Sequence, residues 1–256
     1  MKEKIILALI IYFYFFQISF VNASVFEGLD KPPEGAHKGQ IIAGGFASIG
    51  MPYGDLLNKE KDFVKGDTYT FLESGVIKEF LIAHLAYDFG FFFEYMPIDY
   101  VGIKSKIKRV NIIQRTLFGS NFNNWSQSLY SGYSFLLGPS FHFTNRKWWD
   151  VSLTPLAGYS IAKYKPTPIA EELIENYSSG NKKKVNGIIY GAELTYAMYL
   201  SAGLYFSIGL DWNKYPISLS PEVKLVNPNT FKVMDITSSD IQTINVEVSV
   251  GYAFDN

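Results

Sequence analysis

Four carboxylates sit where a carboxylate is expensive. Glu94, Glu193, Asp211 and Glu247 each fall in a run that alternates apolar with small polar residues, and each lies on the small-residue side. In "GIIYGAELTYAM" (187–198), Ile188, Tyr190, Leu194 and Met198 oppose Gly191, Glu193, Thr195 and Ala197. An acid held on such a face needs a cation, water or a proton. His84 and Lys78 fall at comparable positions in the run 76–87. The expected set is therefore a polar layer of His84, Glu94, Glu193 and Glu247, with Lys78 and Asp211 one level above. That layer can do one of two things: neutralise itself, or favour cations. A second concentration of charge is basic. Lys104, Lys106, Lys108, Arg109 and Arg115 face only Asp99 within 98–129. On an exposed loop they would suit a polyanion, such as lipid phosphates or a sulfated host polysaccharide. Metal chemistry is not expected. There are three histidines and no cysteine, and "DLLNKEKD" (55–62) lacks the glycine and spacing of a calcium loop. With no glycine-rich phosphate loop either, no cofactor is expected.

The elements that must position these groups have a period of two. "DVSLTPLAGYSIA" (150–162), "GYSFLLGPSFHF" (132–143), "AGLYFSIGLDWN" (202–213) and the closing "INVEVSVGYAFDN" (244–256) all alternate. So do Phe89, Phe91, Phe93 and Tyr95 against Gly90 and Glu94. Weaker alternation at 39–50 and 76–87 brings the expected number of strands to eight. Short joints are expected at 88–90, 144–149 and 199–202. Long loops are expected at about 51–75, 98–129, 164–186 and 215–240. Every second connection is thus long, the pattern of a transmembrane up-and-down antiparallel β-barrel. "VKLVNPNTFKV" (223–233) reads as a hairpin around Asn227-Pro228-Asn229, which would make ten strands if it joined the wall.

The chain of 256 residues opens with "MKEKIILALIIYFYFFQISFVNA". Lys2 and Lys4 precede an apolar run from Ile5 to Phe16, and Val21-Asn22-Ala23 supplies small residues for cleavage. Residues 1–23 are read as a secretory signal peptide, 24–38 as a periplasmic lead-in and 39–256 as the barrel. No later stretch has the roughly eighteen uninterrupted apolar residues of a membrane helix. Aromatic residues make up 17% of the chain, which suits an apolar side turned to lipid. A net charge of −1 gives no reason to expect nucleic acid. In a soluble barrel the large apolar face would turn inward. Here the Gly, Ser and Ala face fits the crowded interior of a small barrel, leaving the aromatics outside. An eight-stranded interior holds little beyond its own side chains, so a polar plug is favoured over a cation-favouring pore lined by Glu94, Glu193 and Glu247.

The leader, the alternating strands and the ending Gly251-Tyr252-Ala253-Phe254 resemble the OmpA-like family of small bacterial outer-membrane barrels. The resemblance implies an outer-membrane location. It also makes Gly251, Tyr252 and Phe254 a signal for the barrel-insertion machinery, with outer-membrane lipid and periplasmic chaperones as partners. Family members usually stop on the terminal aromatic, whereas Asp255 and Asn256 follow here. "His142-Phe143-Thr144-Asn145" loosely resembles the His-x-Ser-Asn stretch of outer-membrane lipid A deacylases, with Thr in place of Ser. The expected role is non-enzymatic: envelope structure, with surface loops for adhesion or polyanion and host-ligand recognition. A small pore is the second reading and a lipid-modifying enzyme a distant third.

Overall fold

The computed structural model describes residues 34–58, 82–116, 127–164, 183–200, 203–218, 224–226, 233–235 and 238–254. Eight long strands form one closed wall: β1 (Ile41–Tyr53), β2 (Ile82–Ile98), β3 (Val101–Thr116), β4 (Gln127–His142), β5 (Trp149–Tyr164), β6 (Lys183–Tyr199), β7 (Leu204–Ser218) and β10 (Ser238–Phe254). Each is hydrogen-bonded antiparallel to its neighbours, in the order β1-β10-β7-β6-β5-β4-β3-β2, with β1 closing on β10. Closure pairs every strand on both sides, so the wall has no free edge. A short hairpin of β8 (Lys224–Val226) and β9 (Val233–Asp235) forms its own two-stranded sheet. It does not enter the wall, so the barrel has eight strands rather than ten.

The expected number of strands is present, but two of the expected strands are not the observed ones. Residues 88–90 are no turn: Asp88, Phe89 and Gly90 lie in mid-strand, and 82–98 is a single element. Nor is 98–129 a long loop, because most of it is β3. The true reversal is Asp99-Tyr100, where Tyr100 takes φ 66° between the paired Ile98 and Val101. A positive φ at a tyrosine is uncommon; Asp99 is the turn-favouring residue within the reversal, with Pro97 two residues before it and Gly102 two after Tyr100. The expected loops at 51–75, 164–186 and 215–240 also begin late or end early. β1 runs to Tyr53, β6 starts at Lys183, β7 runs to Ser218 and β10 starts at Ser238.

Glycines on the inner face let neighbouring strands approach. A Cβ on Gly158 would stand 1.8 Å from the Phe135 carbonyl oxygen, and one on Gly138 1.8 Å from that of Pro155. The obstructing atoms are backbone and cannot swing aside. Gly158→Ala is therefore expected to lower barrel stability by about 1–3 kcal/mol, the usual cost of overpacking. A fall in the urea midpoint of the folded barrel would register it.

Both ends of the lumen are filled from within. At the end carrying the short turns, residues 34–40, which include the described part of the expected lead-in, fold across the mouth. Ala36 and Gln40 are buried, and the Gly39 N–H donates to the Met96 carbonyl at 2.8 Å. Arg146 in the β4–β5 turn donates to Glu34 at 3.0 Å, and the Lys38 N–H donates to Asp99 at 2.8 Å. Ala36 packs with Ile42, Phe46, Phe92, Met96 and Tyr199. At the opposite end the chain turns at Gly54 (φ 124°) into one helical turn, Asp55 to Asn58. This drops Leu56 and Leu57 into an apolar cluster with Tyr130, Tyr164, Ile189, Tyr215 and Ile241. The rest of the 59–81 connection, with Lys78, lies outside the described residues.

Candidate functional site

Between those two apolar caps the lumen is charged. Alternate residues of a strand share a face, so Lys104, Lys106 and Lys108 on β3 all point inward, spaced about 6.6 Å apart along the strand. All three are buried. Lys104 bonds Glu193 of β6. Lys106 bridges Glu193 Oε2 at 2.8 Å and both oxygens of Glu247 on β10, at 2.9 and 2.7 Å. Lys108 joins Asp88 of β2 and Asp211 of β7, each at 3.1 Å. Every ammonium also faces a ring: Phe92 at 5.3 Å, Phe46 at 4.3 Å and Tyr215 at 5.9 Å, respectively. Pairing and ring contacts together offset part of the desolvation cost of burying ammonium groups.

A second knot lies nearer the short-turn end. His142 of β4 contacts Glu94 through Nε2 at 2.8 Å and Asp150 of β5 through Nδ1. Ser140 Oγ is 3.2 Å from His142 Nε2 and accepts a hydrogen bond from Thr154 at 2.9 Å. Ser140, His142 and Asp150 thus copy the order of a hydrolase triad. All are buried, and Glu94 takes the side of the imidazole that a nucleophile would need. The deacylase-like pairing does not form. Thr144 donates its hydroxyl to the Trp149 carbonyl and to Asp150, not to His142, and Phe143 points out of the barrel at 64% exposure. The Asp150 carboxylate takes both groups, accepting from the Thr144 hydroxyl through Oδ1 and meeting His142 Nδ1 through Oδ2.

The four acids read from sequence all lie in the lumen, with Asp211 at a different level from Glu193 and Glu247. Glu193 and Glu247 meet at Lys106, Asp211 sits with Asp88 on Lys108, and Glu94 belongs to the histidine knot. Glu193, Glu247 and Asp211 pair with the β3 lysines and Glu94 with His142, while the expected cation Lys78 lies outside the described residues. His84 lies on β2 with its side chain outside the described residues. The polyanion loop is overturned for the same reason: its three lysines are the interior cations. Arg109 stays outside on the wall, 5.8 Å from the Tyr133 ring, and the Arg115 side chain is not among those described. The signal missed was the period of two in "GIKSKIKRV" (102–110), overridden by the rule that lysines face solvent. Asp88 was missed because the sequence placed it in a turn. At the C-terminal end Tyr252 and Phe254 point outward, 42% and 51% exposed, with ring centroids 5.5 Å apart. Gly251 leaves no room for a side chain beside the Ala43 carbonyl. Among the described residues no group of three or more His, Cys, Asp or Glu is arranged for a metal ion. No helix there is long and apolar enough to cross a membrane, which says nothing of strands.

No family model matches the sequence, and no curated protein matches it. Among solved structures, the outer membrane protein OprG from Pseudomonas aeruginosa is similar with a TM-score of 0.49 at 11% identity, over 87% of this chain and 99% of that one. Neisserial surface protein A gives 0.44 at 10% identity, over 84% and 99%. The outer membrane protein AlkL gives 0.40 at 10% identity, over 90% and 97%. Likeness at this level concerns the fold alone, and the closed eight-stranded barrel stands on the chain's own strand pairing.

Proposed function

We propose that this chain is a non-enzymatic outer-membrane barrel with a closed lumen, structural in the envelope and recognising partners through its long connections. The single observation that carries the reading is the inversion of the molecule: ions inside, large apolar groups outside. Phe89, Phe91, Phe93, Ile103, Ile107, Phe135, Leu137, Val248 and Val250 are all exposed on the outer wall. Tyr87, Tyr133, Tyr159 and Tyr190 rim this belt toward the long-loop end, and Tyr95, Phe141, Tyr252 and Phe254 toward the short-turn end. From Tyr87 to Tyr95 is about 26 Å along the strand, near 20 Å after tilt, of the order of an outer-membrane apolar band. Beyond the tyrosine rim the outward side of β5 and β6 carries two lysines. Lys163 and Lys184 are exposed and stand directly opposite one another, which favours a phosphate-bearing leaflet there. The short turns and both ends would then face the periplasm, with Tyr252 and Phe254 presented to the insertion machinery.

The experiment is migration on a detergent gel before and after boiling, on membrane fractions. A folded barrel migrates differently from its boiled form. Identical migration, or release of the protein free of membrane, would overturn the assignment. Closure of the lumen has its own measurement. With both mouths apolar and three lysines locked across the middle, planar-bilayer recordings are expected to lack steady conductance. Cation-selective current abolished by Glu193→Ala would establish the pore reading instead.

A further inference from the structure

Two ammonium groups on the outer wall stand side by side without a counter-charge. Lys163 of β5 and Lys184 of β6 are directly opposite in register, and both point outward and are exposed. The Cβ atoms of such a pair are about 4.5–5.5 Å apart, and like charges so placed repel. Neither lysine has an ion pair among the described residues. Nor does an acid lie among their described outward neighbours. Ser131 flanks Lys163 on β4, and Ile161 and Asn186 form the outward pair two residues nearer the belt. Lys214, also outward toward this end of the wall, is treated differently: Asp240 holds it at 3.0 Å. The height of the pair is specific too. The exposed rim residue Tyr133 shares a row with Ile161 and Asn186, and the lysines stand two residues further, about 6.6 Å along the strands. Arg109 lies in that same rim row, its guanidinium 5.8 Å from the Tyr133 ring. Tyrosine rings sit at the headgroup level of a membrane wall, so the two ammonium groups reach into the layer where lipid phosphates lie.

We propose that Lys163 and Lys184 clamp one phosphate monoester on the headgroup of a membrane lipid, a site that rests on the lipid-facing reading of the outer wall. The charges match. Two ammonium groups on adjacent strands meet a group that carries close to two negative charges at neutral pH and three acceptor oxygens. A phosphodiester headgroup brings only one charge and leaves half of the repulsion in place. Ser131, opposite Lys163, adds a hydroxyl at the same height. A lipid fits better than a soluble phosphate because apolar surface continues directly below the pair. Ile161 is 60% exposed there, and Tyr159 and Ile188 stand opposite one another in the next outward row. Acyl chains of the clamped molecule would lie along that strip while its phosphate screens the two lysines from each other.

The test uses the full barrel refolded into detergent micelles and titrated with phosphatidic acid, phosphatidylglycerol and phosphatidylcholine of identical acyl chains. Native mass spectrometry reads the occupancy. One equivalent of phosphatidic acid is expected to bind roughly thirtyfold more tightly than phosphatidylcholine and about fivefold more tightly than phosphatidylglycerol. Lys184→Gln is expected to remove most of that preference, and Lys163→Gln serves equally if the first variant fails to fold. Lys214→Gln deletes the same charge from the same wall and is expected to leave the preference intact. Equal affinity for the three lipids in the parent protein would overturn the clamp. So would a preference undiminished in the Lys163 and Lys184 variants, or one lost just as fully in Lys214→Gln. Displacement of the lipid by equimolar inorganic phosphate would assign the pair to a free anion and overturn the lipid. Gel migration before and after boiling is recorded on every sample. A preparation without a heat-dependent shift counts against the barrel itself, whereas a heat-modifiable barrel indifferent to headgroup overturns the clamp alone.

Discussion

Lys106→Met is expected to destabilise the barrel by about 3–5 kcal/mol, the usual cost of removing one partner from a buried ion pair. Methionine fills similar volume without charge, so the loss isolates the electrostatic role. Glu193 would keep Lys104 and the Thr195 hydroxyl, which donates to it at 2.7 Å. Glu247 would keep only the weak Ser249 contact at 3.4 Å, because both of its oxygens otherwise rest on Lys106. Its carboxylate would then be stranded at 3% exposure. Lys106→Met combined with Glu247→Gln removes the stranded charge and is expected to recover most of the loss. Urea titration of the refolded barrel, followed by tryptophan fluorescence, measures all the variants. Equal losses in the single and double variants would show that packing, rather than charge, sets the cost.

Phe91→Arg is expected to cost about 2–4 kcal/mol, and the sign of this effect separates a lipid-facing wall from a watery one. Phe91 is 74% exposed and midway between the tyrosines at 87 and 95. Were water outside, an exposed phenylalanine replaced by arginine would be neutral or better. In hydrocarbon the guanidinium must be desolvated or must drag water inward. Ile98→Arg is the control: it is 55% exposed, at the last residue of β2 beside the tight turn, where the cost falls to about 0–1 kcal/mol. Folding efficiency into lipid vesicles at graded urea measures both variants. Equal outcomes for Phe91 and Ile98 would contradict the belt.

A period of two is a property of the backbone, so it survives in the sequence wherever one face differs chemically from the other. That is why β4, β5, β6, β7 and β10 were legible with their sidedness, down to Glu247 facing in and Tyr252 facing out. The contrast there is between glycine or serine and an aromatic, and short-range sterics decide it. The count of eight, however, came out of two offsetting misreadings: β2 divided at Gly90, and β3 taken for a loop. Glycine in a strand interior looks like a turn, yet Gly90 is there because a Cβ would stand 2.0 Å from the Ile107 carbonyl oxygen. The real turn carries tyrosine in a left-handed conformation, held by the paired strands on either side.

By itself, then, the sequence determined the architecture: alternating strands, an inner face too small for anything but a narrow barrel, and an outer face too apolar for water. The partners of the charges were decided only by tertiary structure. A lysine's preference for solvent is a statement about an isolated side chain. The enclosed carboxylates of Asp88, Glu193, Asp211 and Glu247 reverse it for Lys104, Lys106 and Lys108. Those acids come from β2, β6, β7 and β10, and only closure of the barrel brings their fields to bear on one strand.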